Sequence, residues 1–298
     1  MCSCFHGCVH SDTDSIRTSQ TRIHALQHSA PAHIKQQMIT MQMFLYKKFG
    51  LQPNQSDQLP TIFAITPTYA RMVQKAELTR LANTFLHLQN FHWIVVEDAY
   101  NKTQLVTSFL ENSGLHFTHL FAKVNNTRRP NKGALQRNKA LSWLRETFSM
   151  NQSVKGVVYF ADDDNAYTLQ LFEEMRHTKK VSVWPVAFVG GLIYESVVFD
   201  DFGKFKRWNV RYGPTRTFAI DMAGFAINLN LILEKSNASF PVYDSYGIIE
   251  SRFLEGLATV EDLEPKANNC TKVLVWHTKT MKPIARHDNR YTSLNMEI

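Results

Sequence analysis

The chain has 298 residues, 44% of them hydrophobic, with 33 basic against 26 acidic side chains and a net charge of +7. That length suits one large α/β domain or two small ones, and the apolar content fills a sizeable core. Cys2, Cys4 and Cys8 crowd the N-terminus and leave only Cys270 for the folded body, which excludes a disulfide scaffold, and no apolar run reaches the ~18 residues of a transmembrane helix.

Residues 1–58 are rich in Ser, Thr, Gln and His. They carry no signal-peptide apolar region. The spacing of Cys2, Cys4 and Cys8, with His6 and His10 nearby, matches no standard zinc pattern. Ile34, Met38, Met41 and Leu45 fall at helical spacing, so a helix is expected over 32–48, read as a stem or ancillary element. Residues 52–58 are polar and turn-prone and mark a boundary.

From residue 59 the pattern changes. A buried strand is expected over 61–66, ending at Pro67-Thr68-Tyr69. A helix follows with Leu78, Leu81, Ala82 and Phe85 on one face. The next strand, 92–97, ends at Glu97-Asp98. A helix over 102–112 is stopped by Gly114, and a third strand runs over 117–123. Lys123, Arg128, Arg129, Lys132, Arg137 and Lys139 then occur with no acid between them, which suits a phosphate or polyanion, or else a solvated loop. A helix over 133–148 leads to a strand over 157–161. This alternation of strand and helix is the grammar of a parallel, doubly wound sheet. No G-x-G-x-x-G follows the first strand and no P-loop is present, which removes most support for dinucleotide oxidoreductases and P-loop NTPases.

The strand over 157–161 delivers Asp162-Asp163-Asp164-Asn165. Open α/β sheets bind ligands at the carboxyl ends of their strands. Three adjacent carboxylates repel one another, and a divalent cation with a taste for hard oxygen ligands relieves that repulsion. The bland alternative is an Asp-rich turn or helix cap.

The second half is less regular. Helix is expected over 167–176 and strands over 181–185 and 188–193, the latter with a Gly190-Gly191 that suggests a bulge or a close backbone approach. A charged segment over 200–216 precedes a strand over 218–228 that Gly224 interrupts. A helix over 247–257 starts near Glu250, a late strand over 272–276 ends at His277, and residues 284–298 read as a polar tail. Sequons at Asn54, Asn101, Asn125, Asn151, Asn237 and Asn269 hint at a secretory ancestry, each being weak alone.

Taken in order, the segments 60–78 with Pro67-Thr68-Tyr69, 93–99 with Asp98, 136–141 with Arg137, 156–165, 172–176, 182–186, 221–226, 262–265 and 269–278 resemble the β-1,3-glucuronosyltransferases of proteoglycan-linker and HNK-1 carbohydrate synthesis. The resemblance spans about residues 59–283. It implies a GT-A fold, with a nucleotide-sugar half over 59–165 and an acceptor half over 166–283. It also implies UDP-glucuronic acid as donor, Mn²⁺ as cofactor, inversion at the anomeric carbon and a galactose-terminated glycan acceptor on protein. By motif position Pro67, Tyr69, Asp98, Arg137, Asp162, Asp163 and His277 would hold the nucleotide sugar. Asp164 would bind the metal, Glu195, Arg216 and Asp221 would line the acceptor pocket, and Glu250 would be the general base. Family members are Golgi proteins that form homodimers, and nucleic acid is not an expected partner.

The chain departs from the family pattern at several positions. Lys132 and Lys279 stand where Arg is usual, and Met281 where Glu is usual. Tyr246 replaces an acceptor-contacting Arg, and Tyr212 lies near an expected acceptor-stacking Trp. A point charge in place of a planar fork weakens bidentate recognition. Other readings are a related transferase using another UDP-sugar, and a catalytically silent homologue that binds UDP or glycan. The basic loop also admits a nucleic-acid binder, although an acid-rich crevice repels phosphate backbones.

Overall fold

In the computed structural model the described residues are 59–123, 130–149, 154–243, 247–281 and 283–284. All belong to one compact unit that begins at Leu59. The expected helix over 32–48, the cysteine trio, Tyr246 and the tail from 285 on lie outside the described residues.

The nucleotide-half elements expected from sequence are present: β1 (Thr61–Thr68), α1 (Gln74–Phe85), β2 (Phe91–Glu97), α2 (Gln104–Asn112), β3 (Phe117–Phe121), α3 (Ala134–Phe148) and β4 (Gly156–Phe160). Strands β1 to β4 pair in parallel in the order β3-β2-β1-β4. Both faces of this sheet are covered, which explains why its strands read as unbroken apolar runs. Ile62 and Ala64 of β1 pack with α1 and α2, and Phe63 and Ile65 pack with α3 on the other side. The chain reverses its winding between β1 and β4. That reversal opens a crevice at the carboxyl ends of the strands, where Tyr69, Asp98 and Asp162 emerge.

The second half continues the same sheet. Strand β6 (Val181–Val183) and β10 (Phe225–Asn228) extend it beyond β4, with β10 antiparallel to both neighbours, and β11 (Leu263–Pro265) closes the edge. A second sheet has the order β5-β12-β7-β8-β9, built from β5 (Ala166–Tyr167), β7 (Val186–Ala187), β8 (Tyr194–Phe199), β9 (Phe205–Asn209) and β12 (Val275–Trp276). Helices α4 (Leu169–Met175), α5 (Leu229–Glu234) and α6 (Ile249–Glu255) complete the unit.

Sequence expectations fail mostly here. The strand expected over 188–193 is a tight loop joining β7 to β8. Phe188, Gly190 and Gly191 have φ of 62°, 61° and 75°, a region closed to a strand, and the Phe188 amide donates to the Ile193 carbonyl at 2.8 Å. The charged segment over 200–216 contains an antiparallel arm, β9, hydrogen-bonded to β8. The strand expected over 218–228 starts only at Phe225, because Asp221 caps a 3-10 turn, Met222–Gly224, by accepting from the Ala223 amide at 3.0 Å. The short helix α5 and strand β11 have no counterpart in the expectations.

Candidate active site

The nucleotide-half residues converge at the crevice. Thr68 is paired with Glu97 across β1 and β2, and the Asp98 amide donates to the Thr68 carbonyl at 2.8 Å. These bonds set Pro67, Tyr69 and Asp98 side by side. Tyr69 is exposed, and the Asp98 carboxylate pairs with Lys123 at 3.1 Å. Arg137, in the first turns of α3, reaches back to Asp162 at 2.5 Å and donates to the Lys132 carbonyl at 3.2 Å. Its guanidinium lies so close over Gly133 (φ 71°) that a Cβ there would sit 2.5 Å from Nη1. A bare, left-handed residue is therefore required at the start of this helix.

The three aspartates have three different surroundings. Asp162 is paired with Arg137, and its carbonyl accepts from the Tyr167 hydroxyl at 2.8 Å. Asp163 is buried and tied into the scaffold, accepting from Thr68 Oγ1 at 2.8 Å and pairing with Arg71 at 2.7 Å. Burial raises its pKa while Arg71 pulls it back. Asp164 has no basic group at ion-pair distance among the described residues. Burial, then the charges of Asp162 and Asp163, push it up to about 6. Its carbonyl is held by the Thr278 hydroxyl.

From the second half, β12 delivers His277, whose amide donates to the Ala187 carbonyl at 2.9 Å. Its Nδ1 stands 3.4 Å from Asp221 Oδ2. The hydrogen bond to Asp221 outweighs burial and lifts the imidazole to about 9, so it carries a charge at neutral pH. Glu250 lies in the first turn of α6, partly buried. Burial and then Asp221 push its carboxyl up to about 7, with Arg137 and Arg216 opposing. The charges that act on Glu250 thus come from both halves of the chain. Glu195, on β8, is buried and raised by desolvation, with Asp221, Arg216 and His277 all within its field.

Arg216, expected to line the acceptor pocket, is anchored to backbone carbonyls. Its guanidinium donates to the carbonyls of Gly247 at 2.6 Å, Tyr212 at 2.9 Å and Gly213 at 3.1 Å. It clips the loop after β9 to the turn that presents Glu250. Tyr212 packs against Gly247 (φ 79°), where a Cβ would lie 2.4 Å from the ring. Sequence reading gave no role to Arg71, Thr68 or Thr278, whereas the close backbone approach it offered at Gly190 is present, against Glu195. Only Gly190 carried a local signal, as half of a Gly-Gly pair.

Three polar atoms at the site, Arg137 Nε, Asn165 Oδ1 and Glu195 Oε1, are buried without a hydrogen-bond partner among the described residues. Buried polar groups are nearly always satisfied, so such orphans point to atoms that a ligand completes. No set of three or more His, Cys, Asp or Glu side chains converges on one metal position among the described residues. Asp164 nevertheless fits a hard divalent cation. It is half-enclosed, charge-crowded and without a basic partner, and such cations commonly take one or two protein carboxylates and complete their shell with substrate phosphates and water.

Fold and site together define a Rossmann-like α/β protein with an acid-lined crevice at the carboxyl ends of its strands, bordered by the cationic Arg71 and Arg137. Residues 81–281 match the model of glycosyltransferase family 43. Human galactosylgalactosylxylosylprotein 3-beta-glucuronosyltransferase 1 is 54% identical over 258 residues, which is 83% of this chain and 77% of that protein. The human enzyme 2 of the same name is 52% identical over 238 residues, or 78% and 73% of the two chains. Among solved structures, S. aureus TarS in complex with UDP-GlcNAc aligns over 74% of this chain and 59% of its own, with a TM-score of 0.47 at 15% identity. The chain belongs to glycosyltransferase family 43.

Proposed function

We propose that this chain transfers glucuronic acid from UDP-glucuronic acid to the 3-hydroxyl of a terminal β-linked galactose on a protein-borne glycan, with inversion. The observation that carries the reading is Glu250. It is a carboxylate raised to about 7 within the electrostatic reach of Arg137, which pairs with the aspartate run. A base of that strength removes the proton of an attacking hydroxyl near neutral pH. The new bond forms from the galactose oxygen to the anomeric carbon as the bond from that carbon to UDP breaks. One base on the face opposite the leaving group suffices for inversion. Tyr69, Pro67 and Asp98 hold the nucleoside end, Arg137 and Asp162 hold the ribose and sugar side with the buried Asp163 supporting them, and the His277 imidazolium faces the diphosphate. Asp164 would hold Mn²⁺, which when bound neutralises charge on the departing diphosphate. The orphaned Glu195 Oε1 takes a hydrogen bond from an acceptor hydroxyl, beside Asp221 and the loop held by Arg216.

Identity above 50% to two human enzymes over most of the chain supports the donor and acceptor class. We further propose, on the family resemblance alone, a Golgi address and a homodimer. The exposed sequon asparagines Asn101, Asn237 and Asn269 support passage through a glycosylating compartment. No described helix is long and apolar enough to cross a membrane.

The test is a panel of UDP-sugars against β-galactosides, with and without Mn²⁺. Transfer of glucuronic acid to at least one galactoside, dependent on the metal, is expected. Transfer of a different sugar would point instead to the exposed Lys132 at the head of α3 as a change in donor choice. No transfer from any donor would overturn the reading.

A further inference from the structure

We infer that Arg71 is the positioning residue of the nucleotide-binding face, fixing both the Tyr69 ring and the aspartate run before substrate arrives. The inference rests on the proposed use of UDP as leaving group.

Arg71 lies in the loop between β1 and α1, partly exposed. Its guanidinium is shared among three elements. One nitrogen pairs with Glu77 in the first turn of α1 and also with Asp163 at 2.7 Å in the loop after β4. The other donates to the Tyr69 carbonyl at 3.0 Å. The plane also lies over the Tyr69 ring, 4.5 Å from its centroid. A cation over one face of a ring that is itself 56% exposed restrains the ring and leaves its free surface to a planar base. Glu77 and Asp163 are only 3% and 6% exposed. Two carboxylates that deep need a shared cation, and removing one member of a buried charged set leaves the others uncompensated.

The neighbouring bonds point the same way. Gln74 Nε2 donates to Thr68 Oγ1 at 3.2 Å, Thr68 Oγ1 donates to Asp163, and Arg80 donates to the Asp163 carbonyl at 3.3 Å. The first helix is thereby laced to the middle aspartate, and Arg71 extends the same network to Tyr69. A lysine keeps the charge but loses the fork that serves three partners at once.

The experiment uses the full chain and measures UDP affinity by calorimetry with Mn²⁺ present. It also measures kcat and both KM values for wild type, Arg71→Lys, Arg71→Met and Glu77→Gln, with thermal melts as a check on folding. For Arg71→Met, UDP Kd and donor KM are expected to rise on the order of tenfold or more, while acceptor KM stays within about twofold. Arg71→Lys should fall between, and Glu77→Gln should weaken UDP less than Arg71→Met because the cation is retained. If Arg71→Met does not fold, the lysine and glutamine variants carry the same comparison. UDP affinity unchanged in the folded variants, or donor and acceptor KM rising together, overturns the positioning role alone. A wild-type chain that binds no UDP overturns it together with the transferase reading.

Discussion

At the scale of single residues, the cleft is governed by which carboxylates have a cation and which do not. Asp98, Asp162 and Asp163 are paired with Lys123, Arg137 and Arg71. Asp164, Glu195 and Glu250 have no basic side chain at ion-pair distance among the described residues, and all three are raised. For Glu250 the consequence has a definite sign. Between its ordinary 4.5 and about 7 the folded protein holds a proton that the unfolded chain has released, so this residue's contribution to stability falls as pH rises through that window. Activity runs the other way, because only the carboxylate is a base. Accordingly kcat/KM is expected to climb with pH through about 7. Glu250→Gln should lose about 10²–10⁴-fold in turnover, keep UDP affinity, and at pH 8 melt at or above wild type. A pH–rate profile and melting curves check all three. His277 has linkage of the same sign in a higher window, because it too holds a proton in the folded state that the unfolded chain releases. Its stabilisation is complete below about 6.5 and is lost as pH rises through about 9. Gly190 gives a steric prediction. With φ at 61° and a Cβ that would stand 1.9 Å from Glu195 Oε1, Gly190→Ala must displace that carboxylate. Strain of about 1–3 kcal/mol is expected to appear as roughly a tenfold or larger rise in acceptor KM with donor KM unchanged, measured by steady-state kinetics.

At the scale of elements, the functional groups of the second half hang from short pieces of backbone that the core holds rigid. The 3-10 turn after Asp221 is the clearest case. Trp184 Nε1 and the Tyr159 hydroxyl both donate to the Ala223 carbonyl, at 2.8 and 3.1 Å, from within the buried aromatic cluster. Trp184 is 1% exposed, so Trp184→Ala should cost about 3–5 kcal/mol, read by chemical denaturation. Asp221 should lose its placement as well, weakening acceptor use beyond what the stability loss explains. The same contrast decides what the sequence made legible. Strands β1, β2 and β4 are buried on both faces and ten or more residues of helix separate them, so their apolar runs and the carboxylates that follow were readable directly. Segment 188–193 is apolar too, but three residues there have positive φ, and apolar content alone does not distinguish a strand from a tight loop. The arm β9 was hidden because Lys206 and Arg207 are exposed on an edge strand. Arg71 and Thr278 were invisible for a different reason. Each acts through a partner about ninety or more residues away, at Asp163 and Asp164, and only the fold brings those pairs together.

At the scale of the whole molecule, the seven-stranded sheet supplies the aspartate run and the loops bearing Tyr69 and Asp98, while the second sheet brings in His277 and Glu195. The turn capped by Asp221 lies against His277, and Arg216 ties the loop after β9 to the turn that leads into the helix bearing Glu250. Cation and diphosphate are therefore expected to bind as a unit. Asp164 alone offers the cation too few ligands, and the diphosphate without a cation faces an acid-lined cleft. Thermal unfolding reads this out. Saturation at about 100 Kd stabilises a folded protein by about 2.7 kcal/mol, which for a domain of this size raises Tm by roughly 5–10 °C. UDP with Mn²⁺ should produce a shift of that order. Either one alone should give a small fraction of it, so that the pair exceeds the sum. Asp164→Asn should abolish the excess while leaving the unliganded Tm at or above wild type, because it removes a crowded charge that burial already disfavours. If UDP alone gave the full shift, or Asp164→Asn kept the synergy, the cation would not be held by the aspartate run, and the transfer would have to draw its charge stabilisation from His277 and Arg137.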